Sequence, residues 1–509
     1  MSHAIGVVSN VPGAASEAEL PAACPRPICN LVGALGAARV RYCHWKSNIR
    51  LAESLAGEED LDLLVARADA ARFAAVLPDS GFKLARSISG PEHPAMFHAF
   101  ALDEMRGRLL HLHAYFQLLT GDSLAKSYHL PIEGELLSKT RVWKGIPTPL
   151  PELELALFVL RIMLKHTGLA EIALVSRGYA GVVRELAWLA AAADHSAAAE
   201  LWCAWVPGAT PEMFDRTVEA IAAPRAIVER IALGRRLARQ LRGWRRLGAA
   251  AAPLSRWRQI AVMALGRIRR RRDFALQSGG LIIAVVGPKA SGKSTLSAEL
   301  VRRLGKHLDV RRVHAGKPPV TLVTILPRLM TPLARAIFPG ERTGEYEKPE
   351  RRSQASYSLL HIFRMVLLAY DRRALLRRCW RDAASGALVV ADRYPSVTIG
   401  AIDSRRFDDD AVIACGSALK RWLMRREQAL CASLPRPGLV LRLAVCQAAA
   451  VRRDALRLKV GGPDAGAVLR RWNMETSGDF GSTPVSAVAT DRALEETATE
   501  LMRAVWTAL

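Results

Sequence analysis

The feature that most constrains this chain is the stretch GPKASGKST at 287–295, which directly follows the apolar run LIIAVV. A glycine-rich turn that leaves a buried strand and opens a helix aims backbone N–H groups and a helix N-terminus at one point, and that point favours an anion. Gly287, Gly292, Lys293 and Ser294 fit the spacing G-x-x-x-x-G-K-[ST], with Pro288, Lys289, Ala290, Ser291 and Thr295 completing the loop. In that spacing the glycines let the backbone wrap phosphates, the lysine reaches the β- and γ-phosphates, and the serine hydroxyl holds Mg²⁺. The amphipathic TLSAELVRRL that follows supplies the helix the motif needs. ATP and Mg²⁺ are therefore the expected ligands.

The surroundings of the loop predict an α/β fold. From 281 onward the runs LIIAVV, DVRRVHA, ALVVADR, LVLRLAV and PVSAVAT alternate with helical stretches, the pattern of a parallel sheet covered by helices on both faces. A chain of 509 residues exceeds one core. We divide it into a loose tail at 1–27, a small α+β domain at 28–145, a helical arginine-rich connector at 146–278 and the α/β domain at 279–509.

The formal net charge of +24 favours polyanionic partners: nucleotides, nucleic acid or an acidic membrane surface. Much of it lies in the connector, where no acidic residue interrupts 235–272. The segment RWRQIAVMALGRIRRRR places Ile260, Met263, Ala264 and Ile268 on one side with arginines around both ends, which suits an interfacial helix more than a span. An ordinary solvated helix between domains is the alternative. The eight cysteines are scattered without a C-x-x-C pair, which argues against a disulfide framework or zinc site and suits a reducing cytosol. The first residues lack the basic start and apolar core of a secretory signal. We expect a cytoplasmic protein, with peripheral contact at the inner membrane face and a homodimer as further expectations.

A second chemical element is GALVVADRYPS. Asp392 ends a buried strand, where a carboxylate meets the loop's metal, and Arg393 beside it is placed to clamp a second phosphate. GPKASGKST, LLAYDRRALLRRCW, GALVVADRYP and PGLVLRLAVCQAAAVRRDALR together resemble the thymidylate kinase family of P-loop nucleoside-monophosphate kinases, over about 280–509. PVSAVATDRALEETATEL is similar to that family's last strand and helix. The resemblance implies that Lys293 and Ser294 bind ATP and Mg²⁺, that Asp392 acts near the metal, and that Arg393 holds the acceptor phosphate. It further implies that Arg372 faces the acceptor's base and that Arg452, Arg453, Arg457 and Lys459 belong to a lid over the γ-phosphate. A basic lid makes physical sense, because phosphoryl transfer needs charge stabilisation and exclusion of water.

The chain departs from the family on the acceptor side. Lys289 stands where the family carries an acid, HAGKPP only echoes its REPG-type stretch, Leu368 replaces the base-stacking aromatic, and PSVTIGAI replaces a polar pattern after DRY. The segment from about 320 to 357 also falls where an acceptor would enter.

In the first domain, HWKSNIRLAESLAGEEDLDLLV sets Asp60 and Asp62 on one face of a strand, where two carboxylates can share a metal. This stretch resembles the nucleotidyltransferase superfold. The strand expected to bring a third carboxylate reads RLLHLHAYF and offers His111 and His113 instead. The expected function is an ATP-dependent phosphotransferase that moves the γ-phosphate to a nucleoside monophosphate, dTMP first, or to another phosphorylated acceptor. An ATP-binding regulatory switch, and a nucleotidyltransferase using Asp60 and Asp62, are the alternatives.

Overall fold

The computed structural model describes residues 19–88, 93–122, 124–165, 178–248, 250–268, 274–329, 357–399, 401, 403–455, 472 and 478–509. They form two compact units that divide at Arg271 and Arg272, with 104–108 counted in the second.

The first unit is built on strands β1 (Tyr42–His44), β2 (Leu61–Val65), β3 (Lys83–Ser87), β4 (Met96–Asp103) and β5 (Arg108–Tyr115), in the order β1-β2-β5-β4-β3. β1 and β2 run antiparallel, and β2 and β5 run parallel with Asp62 opposite His113. Alternation along β2 decides what each face covers. Leu61, Leu63 and Val65 join Leu31, Leu35 and Phe73 of helices α1 (Arg26–Ala37) and α2 (Ala70–Val76) in one core. Leu64 points the other way, into a second core with Cys43, Trp45 and Tyr115.

That second core is filled by helices. Helix α3 (Pro151–Lys165) is buried without a break from Leu153 to Leu160, as expected of a helix that is apolar all round. Around it pack α4 (Tyr179–Ala192), α5 (His195–Trp205), α6 (Pro211–Ala222) and α7 (Ile227–Gln240), which contribute Trp202, Phe214 and Leu237. Asp194 and Thr210 accept from the N–H groups of Ala197 and Met213 and cap α5 and α6. No break in packing falls at the expected 145/146 boundary: the helices complete the sheet's own core. Helix α8 (Ala251–Ile268) closes the unit and exposes Leu254, Trp257, Leu265 and Ile268.

The second unit is a five-stranded parallel sheet of β6 (Ile282–Val286), β7 (Val310–His314), β8 (Leu388–Asp392), β9 (Leu439–Ala444) and β10 (Val485–Ala489), in the order β7-β8-β6-β9-β10. β6 and β8 are buried along their whole length, which explains their wholly apolar sequences. Helices α9 (Lys293–Leu304), α10 (Leu359–Ala384), α11 (Ala418–Ala432), α12 (Gln447–Ala455) and α13 (Leu494–Ala508) belong to this unit. The chain leaves β6 toward β7 and leaves β8 toward β9 on the opposite side, so a crevice opens at the carboxyl ends of β6 and β8. The fold is thus mixed α/β with a parallel sheet, as the alternating pattern predicts. Among the described residues no helix is long and apolar enough to cross a membrane.

Candidate functional site

The loop after β6 occupies that crevice. Gly287 has φ +147°, and a Cβ there would lie 2.6 Å from the carbonyl oxygen of Leu443, so the position admits glycine alone. Gly292, at φ +88°, hands the chain to α9, and Ala290 between them is also left-handed at φ +68°. Lys293 Nζ folds over the loop and donates to the carbonyl oxygens of Gly287 at 2.5 Å and Pro288 at 2.8 Å. Ser291 Oγ is fully buried and has no hydrogen-bond partner among the described residues.

Strand β8 supplies the carboxylate. Asp392 stands in register with Val285, and its Oδ2 accepts from Ser294 Oγ at 3.0 Å. Arg312 of β7 donates to the Ser294 carbonyl at 3.0 Å and lies 3.6 Å from the same carboxylate oxygen. A hydroxyl and a carboxylate side by side are the oxygen donors a hard cation such as Mg²⁺ takes, usually beside substrate phosphates and water. The ammonium of Lys293 and the unpartnered hydroxyl of Ser291 fit the phosphates of a nucleotide. These residues fit both groups.

The far wall carries the arginines. Arg393 has a left-handed backbone, φ +67°, fixed by its N–H donating to the Val285 carbonyl at 3.1 Å. Arg372, buried on α10, donates through Nε to the Ala315 carbonyl at 3.0 Å. Asp403 joins the two: its Oδ1 is 3.2 Å from Arg372 and its Oδ2 is 3.5 Å from Arg393. A Cβ on Gly316 would come within 2.7 Å of Asp403 Oδ2 and 3.1 Å of Arg393 Cδ, so the HAGKPP stretch packs its glycine against this pair. Gly287, Lys293, Arg393, Tyr394, Asp403 and Phe480 line one cleft. Asp403, Arg312 and Phe480 were not singled out in the sequence. Asp403 carried a signal, an acid just ahead of the basic pair Arg405 and Arg406.

Neither of the described lid residues, Arg452 and Arg453, lines this cleft. Arg453, on α12, donates to the carbonyl oxygen of Thr490 at 2.7 Å, just past the end of β10, and Arg452 is exposed. Arg457 and Lys459, like most of the 320–357 segment, lie outside the described residues. The loop has a different tie to α12: Lys289 Nζ pairs with the buried Asp454 at 2.9 Å. The lysine that departs from the family pattern thus has a carboxylate partner 165 residues later in the chain.

In the first unit, Asp60 and Asp62 find partners among cations and histidines. Lys46 lies 2.9 Å from Asp62 Oδ1 and His113 Nδ1 lies 3.3 Å from it, while Asp60 meets His111 Nδ1 at 2.9 Å. Burial works to raise the Asp62 pKa, but Lys46 and His113 outweigh it and hold the carboxyl well below the usual range. Lys46 also donates to the Tyr115 hydroxyl at 2.9 Å. Among the described residues no group of three or more His, Cys, Asp and Glu side chains is placed to hold a metal ion. His111 and His113 stack with His98, at centroid distances of 5.3 and 4.3 Å, instead of converging on one point.

No family model matches the chain. It is 30% identical over 177 residues to the uncharacterized ATP-binding protein YghR of Escherichia coli K12, a match that covers 34% of this chain and 68% of the relative. It is 27% identical over 179 residues to the uncharacterized ATP-binding protein YghS of the same strain, covering 34% of this chain and 72% of the relative. A solved structure of thymidylate kinase from Candida albicans is similar at 18% identity over 45% of this chain and 92% of that one. Its TM-score of 0.27 is too low to carry an argument.

Proposed function

Because this chain belongs to the family of the ATP-binding protein YghR, we propose that its second unit binds ATP with Mg²⁺ and transfers the γ-phosphate to an acceptor that itself carries a phosphate. The observation that carries this reading is that Lys293, Arg393 and Asp403 line one cleft. Ser294, next to Lys293 in the chain, donates to Asp392, and Arg372 joins Arg393 through Asp403. A nucleotide needs only Lys293, Ser294 and Asp392. The two guanidiniums, with the geometry that suits phosphate oxygens, call for another anion.

In this reading Lys293 leaves the carbonyls of its own loop for the β- and γ-phosphates, and Ser294 and Asp392 hold the cation. Mg²⁺ supplies charge neutralisation between the phosphates. Arg393 and Arg372 exchange Asp403 for the acceptor's phosphate, and Tyr394 and Phe480 shield the cleft from water. The nucleoside monophosphates, with dTMP first, are the acceptor class to try, although the replaced acceptor-side pattern leaves room for another phosphorylated compound.

The test is ADP release by the full chain with ATP and Mg²⁺, alone and with a panel of dTMP, dUMP and other monophosphates. At least one acceptor should raise turnover above the ATP-only rate, and Lys293→Ala should lower that turnover about 10²- to 10³-fold. ATP binding that no acceptor converts into turnover would leave the chain a nucleotide-dependent switch.

A further inference from the structure

Helix α8 is amphipathic with its faces reversed. Leu254, Trp257, Ala261, Leu265 and Ile268 recur at spacings of three and four, which sets them on one side of the helix. In a surface helix that side is expected to face the core. Here it faces out: Leu254 is 72% exposed, Trp257 70% and Ile268 78%, and Ala261, Ala264 and Leu265 between them are exposed as well. The opposite side is turned to the body of the unit. Ala252 and Arg256 line a cleft with Tyr128 and Arg239, and Arg256 lies 3.7 Å from Asp122 Oδ2. Gln259, Val262 and Met263 are half-buried. The sequence pattern grouped Met263 with Ile260, Ala264 and Ile268. The structure puts Met263 on the inner side and adds Leu254, Trp257 and Leu265 to the outer one.

Single exposed apolar residues are ordinary, but a continuous stripe along a whole helix marks an interaction surface. Charge chooses the occupant. Arg258 stands on the exposed side beside Leu254 and Leu265, and in the sequence four arginines, 269–272, directly follow the helix. A second copy of the chain would bring the same arginines against these, and the sequence from 230 to 272 has no carboxylate with which to receive them. A membrane surface with acidic lipids matches both features at once, with apolar chains just beneath a layer of negative headgroups. Trp257 adds to the fit, because an indole ring favours the boundary between headgroups and acyl chains.

We propose that α8 docks the chain on an acidic phospholipid surface. Leu254, Trp257, Leu265 and Ile268 enter the boundary between headgroups and acyl chains, and Arg258 meets the headgroups. The contact is independent of the nucleotide site of the second unit.

Sedimentation of the full chain with vesicles of phosphatidylcholine, alone or mixed with phosphatidylglycerol, tests this. The mixed vesicles should bind the chain more tightly. Leu254→Ser combined with Trp257→Ser keeps every arginine and should weaken that binding about tenfold or more. Arg258→Ala should weaken binding to the mixed vesicles about fivefold. Two further variants separate this surface from the rest of the molecule. Trp422→Ser removes another exposed tryptophan, on α11, and Arg393→Ala removes an arginine of the proposed acceptor site; both should bind the vesicles like the unaltered chain. Circular dichroism checks that each variant is folded. As a second reading, brominated acyl chains should quench tryptophan emission in the bound chain, and Trp257→Phe should remove that quenching. Unchanged binding in the Leu254 and Trp257 double variant, an equal loss in Trp422→Ser or Arg393→Ala, or quenching that survives Trp257→Phe overturns the proposal. Absence of binding to the mixed vesicles overturns it too. A chain that is a dimer in solution and becomes a monomer on the double substitution also overturns it, and makes α8 a contact between copies.

Discussion

At the scale of single residues, the second unit depends on small side chains where backbone and charge crowd together. Gly316 touches Asp403 and Arg393, so Gly316→Ala should push the carboxylate off both arginines. We expect kcat/KM for the stimulating acceptor to fall about ten- to a hundredfold, with ATP affinity unchanged; steady-state kinetics with each substrate varied in turn checks this. Asp392→Asn keeps the shape but removes the charge beside Ser294. Turnover should fall about 10²- to 10³-fold, and raising the Mg²⁺ concentration should restore part of it. In the first unit, burial depresses several bases. Lys126 is pulled down to about 7, with Lys46 and Lys165 adding repulsion, and burial first takes His113 and His93 to about 4 and His98 to about 2. In each case the unfolded chain binds more protons than the folded one between the two pKa values, so stability rises with pH across that interval. Denaturant titrations should therefore show stability falling as pH drops from about 10 toward 7 through Lys126, and again from about 6.5 toward 4 through the histidines. Lys126→Met should flatten the upper slope alone.

At the scale of elements, the ion pair between Lys289 and Asp454 fastens the phosphate loop to α12. A double-mutant cycle with Lys289→Met and Asp454→Leu should give a coupling of about 1–3 kcal/mol, and the two single variants should each cost more than the double. The same pair shows what the sequence could convey. The loop, its strand and its helix are local, so GPKASGKST and its neighbours sufficed to place 282–304. Asp454 is distant in the chain and became informative only once α12 was set beside the loop. Asp403 was missed for the same reason: its role rests on arginines that come from α10 and from the end of β8. Asp60 and Asp62 lie two residues apart in the sequence, but a pair of carboxylates does not reveal that Lys46 and His113 claim one of them. The lid role of the arginines at 452–457 comes from the resemblance to the thymidylate kinase family, and in the structure Arg453 donates to the Thr490 carbonyl.

At the scale of the whole molecule, the helices of 151–241 are an organ of stability for the first unit. Trp202 is fully buried among α3, α5 and α6 and is in ring contact with Phe214 at 5.6 Å. Trp202→Ala should cost about 3–5 kcal/mol, and thermal unfolding should show the loss in the first unit while nucleotide binding persists in the second. The order of strands in the parallel sheet bears on how the chain reaches this state. β6 lies between β8 and β9, so Ile282 waits for Val389 and Ile283 for Leu439 before either edge is covered. Pairings of such long range form slowly and leave apolar edges open in the interval. During synthesis the phosphate loop therefore emerges long before its sheet can close, and products that stop short of β9 should be sticky and short-lived.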